Sequence, residues 1–565
     1  MLIGLVLISL AHAQSSSATL QSVLSSELDR AMSVLSERQE RPHYIALATE
    51  DRDDWKLSAT DGTLGTDVRN HTRTLDVDLR VGTPELDSTH ELRGMSAWSD
   101  DTRGLIRLPI DDAPEAALRQ VVWRELDRRY REAAEAIVLL RANQVVKVTE
   151  ERPAPDFEPR TDPVHAVVPV PALELDRGVW QELLVQLSER LDAEPAVQQS
   201  SAELQAVRAE KVFVDTEGAR LQYGRTHVRL TMQVSTVADD GDEVHVFDAW
   251  DAETVDGLPD RTALLARADA MATRVAALRT APRGQPWTGP ILLTGRASAV
   301  FFHEVFGHRV EGHRQKSSSE GQTFTDLVGS TILPTWIDVI DDPTLPAVGG
   351  VDLNGFYAFD DEGRPAETAS LVDDGVFRGF LMSRSPIQGF EHSNGHGRRM
   401  AGRAPVARMG NTIVRASQTV TDARLRAMLL DEVRAQGLEY GILVEEIDGG
   451  FTMTGRMMPN AFNIRASASW KVFADGRPDE LVRGIDLVGT PFAAFSNVAA
   501  AGDTPQVFNG YCGAESGWVP VSGIAPSLLF KRLEFQLKEK AQERPPLLPK
   551  PDQPDDGATD AEVVR

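Results

Sequence analysis

Between Ile291 and Arg314 the chain runs from an apolar strand, Ile291-Leu292-Leu293, through Gly295 into a helical stretch that holds His303-Glu304-Val305-Phe306-Gly307-His308. This is HExxxH, one residue longer than HExxH. In the shorter motif the two histidines stand one helical turn apart and face one metal ion, while the glutamate beside the first takes a proton from the water the ion activates. Five residues of an ideal α-helix leave two side chains about 140° apart, too far round to share an ion. The helix therefore has to adapt, by a π-type turn or by ending, and Gly307 supplies backbone freedom for either.

The third ligand is missing from the local motif. Glu311 and His313 are near, but each needs the helix to turn further towards the ion. The other candidate is Cys512, in the turn-rich run Asn509-Gly510-Tyr511-Cys512-Gly513, where a thiolate can approach an ion and be stabilised by it. It is the one cysteine of 565 residues, which excludes an internal disulfide and any multi-thiolate zinc or iron–sulfur site. A metal must lean on His, Asp or Glu. Composition narrows the function further: 59 Lys and Arg against 85 Asp and Glu give a net charge of -26, a surface that repels a phosphate backbone and argues against nucleic acid.

The elements that must position these residues follow from periodicity. At 41% hydrophobic and 25% charged, the chain is globular, and its length calls for two or more domains. Leu2 to Leu10 is an apolar run before Ala11-His12-Ala13, which predicts a signal peptide over residues 1–13 and export to the periplasm or beyond the cell; without it the chain reads as cytoplasmic. No later segment has 18 uninterrupted apolar residues, so no membrane span is expected. Helices are predicted over Leu20–Leu35, from Asp112 through Tyr130, around Trp180–Leu191 and around Leu264–Leu278. Strands are predicted at Tyr44–Leu47, Trp55–Leu57, Leu75–Leu79, from Val212, and at His227–Ser235 with a hairpin at Asp240-Gly241; His227 and His245 in these strands are read as structural. Six prolines between Pro153 and Pro171 read as a connection. The fold class is α+β: an N-terminal α/β domain over 14–285, a β-rich C-terminal domain over 286–540 with the HExxxH helix near the junction, and a disordered acidic, Pro-rich tail over 541–565.

Several separated motifs, in order along roughly residues 290 to 535, carry a resemblance: HEVFGHRVEG from His303 to Gly312, Asp360-Asp361-Glu362-Gly363, Asn394-Gly395-His396-Gly397-Arg398-Arg399 with Arg408-Met409-Gly410-Asn411-Thr412, and Cys512-Gly513 to Pro520-Val521-Ser522. The chain resembles the TldD/PmbA family of metallopeptidases. The resemblance implies a zinc peptidase with His303, His308 and Cys512 as ligands, and a dimer enclosing the active site. In that family TldD-type catalytic chains pair with PmbA-type (TldE) partners that lack the metal motif; this chain keeps the motif and resembles the catalytic type. Its better-known bacterial members are cytosolic, whereas this chain is expected to carry an export signal. Ala514 and Glu515 also stand where a basic residue is expected after Cys512-Gly513.

Two neutral imidazoles and a thiolate leave Zn(II) near +1 with an open fourth position, and thiolate ligation favours zinc over magnesium or calcium. Glu304 is the expected general base, and Glu311 the expected partner that orients a ligand imidazole. His396, Arg398 and Tyr511, in that order, are the candidates to stabilise the oxyanion, with surface charge balance the other role open to Arg398 and Arg399. His313 and His392 take no assigned role. The expected function is hydrolysis of peptide bonds in small or unfolded polypeptides. A non-catalytic peptide-binding or scaffold subunit of a TldD/TldE-like assembly is the alternative, against which the intact ligand set argues. An HExxxH exopeptidase of the dipeptidyl-peptidase III kind ranks lower, because its third ligand is a glutamate on a second helix and no comparable motif occurs here.

Overall fold

The computed structural model describes residues 2–90, 104–144, 153–317, 319–457 and 461–538. The predicted tail over 541–565 lies outside them. The chain opens with helix α1 (Leu2–Leu35), which covers both the predicted signal and the predicted helix after it. Strands β1 (Pro42–Thr60), β2 (Thr63–Thr83), β3 (Leu86–Asp87) and β4 (Ile106–Leu108) follow, then α2 (Glu115–Gln144), β5 (His165–Val167) and α3 (Arg177–Asp192). Strands β6 (Gln199–Asp215), β7 (Arg220–Val237) and β8 (Glu243–Ala252) and helix α4 (Arg261–Thr280) complete this part. The strands form one sheet in the order β3-β2-β1-β6-β7-β5, with β4 beside β2 and β8 beside β7.

Successive residues of a strand point to opposite faces, and this sheet uses both. Ile45, Leu47, Leu75, Val77, Val212 and Val214 face α1 and α2, and Leu57, Leu204, Leu230 and Met232 face α3 and α4 on the same side. The alternate residues Tyr44, Ala46, Phe213 and Tyr223 form the opposite face and meet Phe157 and Phe359. Helices on one face and C-terminal loops on the other make an α+β arrangement.

The C-terminal part begins with β9 (Trp287–Leu293), which pairs in parallel with Tyr440–Thr452 and antiparallel with Leu528–Leu537. Those strands continue through Ile485–Gly489 and Phe462–Phe473 and return to Tyr440–Thr452, which closes a barrel. A second sheet has the order Val376–Phe377, Ala369–Asp373, Ile337–Asp341, Asn411–Ala416, Gly517–Ala525, Gln506–Ala514. Helix α5 (Gly295–Val305) lies between barrel and sheet. Phe301 packs edge-on against Phe462 and Phe530 of the barrel, and Phe302 stacks on Phe495. A helix buried on every side, apart from Arg296, carries the HExxxH residues into the interior.

The two parts are joined by buried polar contacts. Arg384, with no exposed surface, donates to the Glu158 carbonyl at 2.7 Å and the Tyr44 hydroxyl at 3.2 Å, pairs with Glu217, and lies 4.1 Å over the Phe157 ring. Lys211 reaches Asp361 at 2.7 Å, and Arg225 donates to the Asn354 carbonyl at 2.7 Å. Removing one member of a buried pair costs about 3–5 kcal/mol because its partner is left charged and dry. Arg384→Met is therefore expected to lower the unfolding midpoint clearly in thermal or denaturant melts. An unchanged midpoint would show that this junction does not stabilise the fold.

Candidate metal centre

Helix α5 starts where β9 leaves the barrel. Thr294 caps it, accepting from the Ala297 amide and donating its hydroxyl to the Glu445 carbonyl at 2.8 Å. The α-helix ends at Val305; Phe306 departs from helical geometry at φ −111° and ψ −54°, and Gly307–Arg309 form a separate 3-10 turn. The five-residue spacing is thus accommodated by ending the helix between the two histidines, with no π turn. A helix end in a dry interior leaves carbonyls without partners. Arg309, 2% exposed, donates to the carbonyls of Glu304 at 3.1 Å and Val305 at 3.0 Å. Burial pushes its guanidinium down to about 10, so it stays charged at neutral pH and suits the negative end of the helix.

Gly307 matters for a different reason than backbone freedom. Its φ lies outside the left-handed region, but a Cβ there would sit 2.0 Å from the Met409 sulfur. The absence of a side chain lets the turn carrying His308 press against the 406–410 segment. The rings of His303 and His308 come to 5.1 Å between centroids at 84°, and Cys512, on Gln506–Ala514, brings its Sγ to 3.4 Å from His308 Nε2. All three side chains are buried, and their ligand atoms lie within 4.8 Å of one another. Ligands of a tetrahedral N/S-bound divalent ion stand about 3.3–3.6 Å apart. The donor set and its spacing therefore fit such an ion with small adjustment.

Electrostatics match that donor set. Burial raises the Cys512 thiol, but the two imidazoles and Arg408 overcome it and hold the thiol well below its ordinary range. Burial likewise lowers both imidazoles, yet the facing sulfur, and for His308 also Glu311, hold them above theirs. A metal ion takes the sulfur as thiolate and the imidazoles as neutral rings, so its binding is coupled to release of protons.

Behind the trio stands a chain of ion pairs. His308 Nδ1 is 3.2 Å from Glu311 Oε2, which fixes Nε2 as the ligand atom and matches the role expected of Glu311. Glu311 has no exposed surface and is gripped by Arg314 at 2.9 Å and Arg408 at 3.2 Å. These cations keep it ionised against the cost of burial. Arg314 passes on to Glu515, which also meets His313 at 3.2 Å. Glu515 thus balances local cations, and neither Glu311 nor His313 offers the third ligand. Glu304 lies on the last turn of α5, where Gly450 yields to it: a Cβ on that glycine would come within 2.6 Å of Glu304 Cγ.

The three residues expected to stabilise an oxyanion are each engaged with other partners. His396 is fully buried with both ring nitrogens engaged, Nδ1 at 2.8 Å from the Asn394 carbonyl and Nε2 at 3.2 Å from Asp341, so it has no donor left for a substrate. Arg398 is buried, donates to the Met409 carbonyl and lies 4.7 Å over Tyr357, so the surface role fails as well. Tyr511 precedes Cys512 on a strand and faces the opposite side of the sheet, towards His227 and Arg229. His227 itself is held by Asp251 at 2.8 Å. The turn at Asp360 and the loop at Asn394 are scaffolding: the Asp360 carboxylate accepts from the amides of Glu362, Arg364 and Gly397. Sequence reading missed Arg309 and Arg408, although an arginine directly after the second histidine of HExxxH was a signal for the first.

Residues 287–537 match the PmbA/TldA metallopeptidase C-terminal domain. A "Metalloprotease" of Methanothermobacter thermautotrophicus is 26% identical over 335 residues, 57% of this chain and 66% of that protein. A "Metalloprotease TldD homolog" of Haemophilus influenzae is 25% identical over 377 residues, 64% of this chain and 72% of that one. The match to Archaeoglobus fulgidus "Metalloprotease" covers 51% of it, so the chain spans about half to two thirds of several relatives it matches. Among solved structures, TldE from Thermococcus kodakarensis superposes with a TM-score of 0.59 at 13% identity, over 92% of this chain and 100% of that one. At that identity the likeness is one of fold.

Gly307→Ala forces a methyl group into the Met409 sulfur and pushes the His308 turn away. Purified Gly307→Ala is expected to carry less metal than wild type by elemental analysis, and Gly307→Ala/Met409→Ala to recover part of the loss. Full metal content in the single variant would contradict the packing argument.

Proposed function

With the chain a member of the TldD/PmbA family through its C-terminal domain, we propose that it is a zinc-dependent peptidase acting on small or unfolded polypeptides. The observation that carries this is the buried convergence of His303, His308 and Cys512 with Glu304 directly beside the first ligand. Zinc held by these residues would supply Lewis acidity towards a peptide carbonyl and would make water more acidic. His303 and His308 offer imidazole nitrogens and Cys512 a thiolate. Glu311 holds Nδ1 of His308 and keeps Nε2 turned inward. Glu304 receives the proton of the attacking water and returns it to the leaving amine, a transfer worth about 10²–10⁴-fold in rate. The surrounding apolar side chains keep bulk water from these groups.

The assembly belongs to the same proposal: a homodimer, or a heterodimer with a TldE/PmbA-like subunit, supported by the TldE-like fold. So does export, supported by the apolar run Leu2–Leu10 before Ala11-His12-Ala13.

Glu304→Gln keeps the ligand trio and removes the base. It is expected to hold zinc at the wild-type stoichiometry while hydrolysis of an unstructured casein-like polypeptide falls by about 10²–10⁴-fold, with wild-type hydrolysis stopped by a chelator. Full activity of the zinc-loaded variant would remove Glu304 from the mechanism, and wild-type activity that survives metal removal would remove the metal.

A further inference from the structure

The two arms of the site come from distant parts of the chain. His303 and His308 leave one end of α5, and Cys512 lies some two hundred residues later on a strand of the second sheet. Something has to fix the distance between those arms, because hydrophobic burial is non-directional and does not by itself set the separation of a strand and a helix end. We propose that Arg408 is the positioning residue that does this: one buried guanidinium bridges the Glu311–His308 arm and the Cys512 arm and holds them at the separation a metal ion needs.

The geometry is specific to this side chain. Arg408 has no exposed surface. Its Nε donates to Glu311 Oε1 at 3.2 Å, and Glu311 in turn holds the His308 ring. Its Nη2 donates to the backbone carbonyl of Cys512 at 2.7 Å. Its Nη1 donates to the Ser516 hydroxyl at 2.8 Å and the Gly517 carbonyl at 3.0 Å, which fixes the turn that leads back from the cysteine strand. The planar fork thus serves acceptors on both arms at once, which the point charge of a lysine cannot do.

The base of the side chain is anchored as firmly as its tip. The Arg408 amide donates to the His396 carbonyl at 2.9 Å, and the Gly410 amide donates to Asp341, the same carboxylate that meets the His396 ring. Between them Met409 presses against Gly307, the residue before His308. The segment therefore reaches His308 in two ways, by packing of Met409 against Gly307 and through the Arg408–Glu311 hydrogen bond to the carboxylate that holds the ring. Arg314 differs in what it holds: it also grips Glu311 and reaches the same turn through the exposed side chain of Glu515, with Glu320 and Thr454 as further partners, but it makes no hydrogen bond to the backbone of Cys512.

This inference rests on His303, His308 and Cys512 being the zinc ligands, and wild-type zinc binding tests that reading separately. Zinc affinity is measured on the full chain by competition with a chromophoric chelator, and the sulfur-to-metal absorption of the cobalt(II)-loaded protein reports the Cys512 arm. Arg408→Gln is expected to weaken zinc binding by about 10–100-fold, the usual effect of removing a residue that orients a ligand, and to reduce the sulfur-to-cobalt band. Arg314→Gln, which leaves the hydrogen bond to the Cys512 backbone in place, is expected to reduce that band less than Arg408→Gln does. Arg408→Lys, which keeps the buried charge, is expected to fold and to recover only part of the affinity; it carries the test where Arg408→Gln does not fold. In a cycle with Glu311→Gln, the Arg408→Gln loss is expected to shrink once Glu311 is neutral. Wild-type affinity in folded Arg408→Gln, or full recovery in Arg408→Lys, would overturn the bridging role.

Discussion

A helix buried between a barrel and a sheet has to end inside the protein, between the two histidines of HExxxH, and most of the site follows from that constraint. Side chains five positions apart on a continuous α-helix cannot face one point. Ending the helix at Val305 and restarting as a 3-10 turn brings His308 round to His303, but it exposes carbonyls where water is absent. Arg309 answers that need from within the motif itself. The turn then has to be pressed into place from outside, and Gly307 against Met409 does so with no room for a side chain between them.

The second consequence is a concentration of buried charge. Glu311, Arg314, Arg408, Glu515 and His313 form a continuous network behind the ligand trio. Such a network is no bargain in stability, since desolvation offsets much of the attraction. Its value here is geometric: Glu311, Arg314, Arg408 and Glu515 are each fixed by two or more directional contacts, and the contacts end on His308 and on the backbone of Cys512. The start of the helix is held in a comparable way, because Arg296 in its first turn reaches Asp248 of β8 at 3.0 Å. Glu446 meets Arg267, which meets the same aspartate. The N-terminal sheet therefore takes part in locating helix α5 as well as covering the C-terminal loops.

Much of this was legible in the sequence, and for identifiable reasons. The helices over 115–144, 177–192 and 261–280 and the strand over 220–237 announce themselves through period 3.6 or period 2, which local burial enforces. The trio was legible through HExxxH and a lone cysteine, and the part Glu311 plays in orienting a ring through its place eight residues after His303. What was hidden is contact across the chain. Nothing local to Asn394–Arg399 tells that His396 is locked between Asn394 and Asp341, or that Arg398 spans to Met409 and Tyr357. Tyr511 was readable in principle, since its neighbour on the strand is Cys512 and strand alternation sends the two to opposite faces. Arg408 was out of reach because its partners lie about a hundred residues away on either side.

The central claim is that His303, His308 and Cys512 hold one ion. Crystals of the full chain grown with zinc, measured on both sides of the zinc absorption edge, test it most directly. The account predicts a single strong anomalous peak about 2.0–2.1 Å from a nitrogen of each imidazole, with Nε2 the atom of His308, and about 2.3 Å from Cys512 Sγ. A peak elsewhere, or a zinc-soaked crystal with no peak between these three side chains, would contradict it.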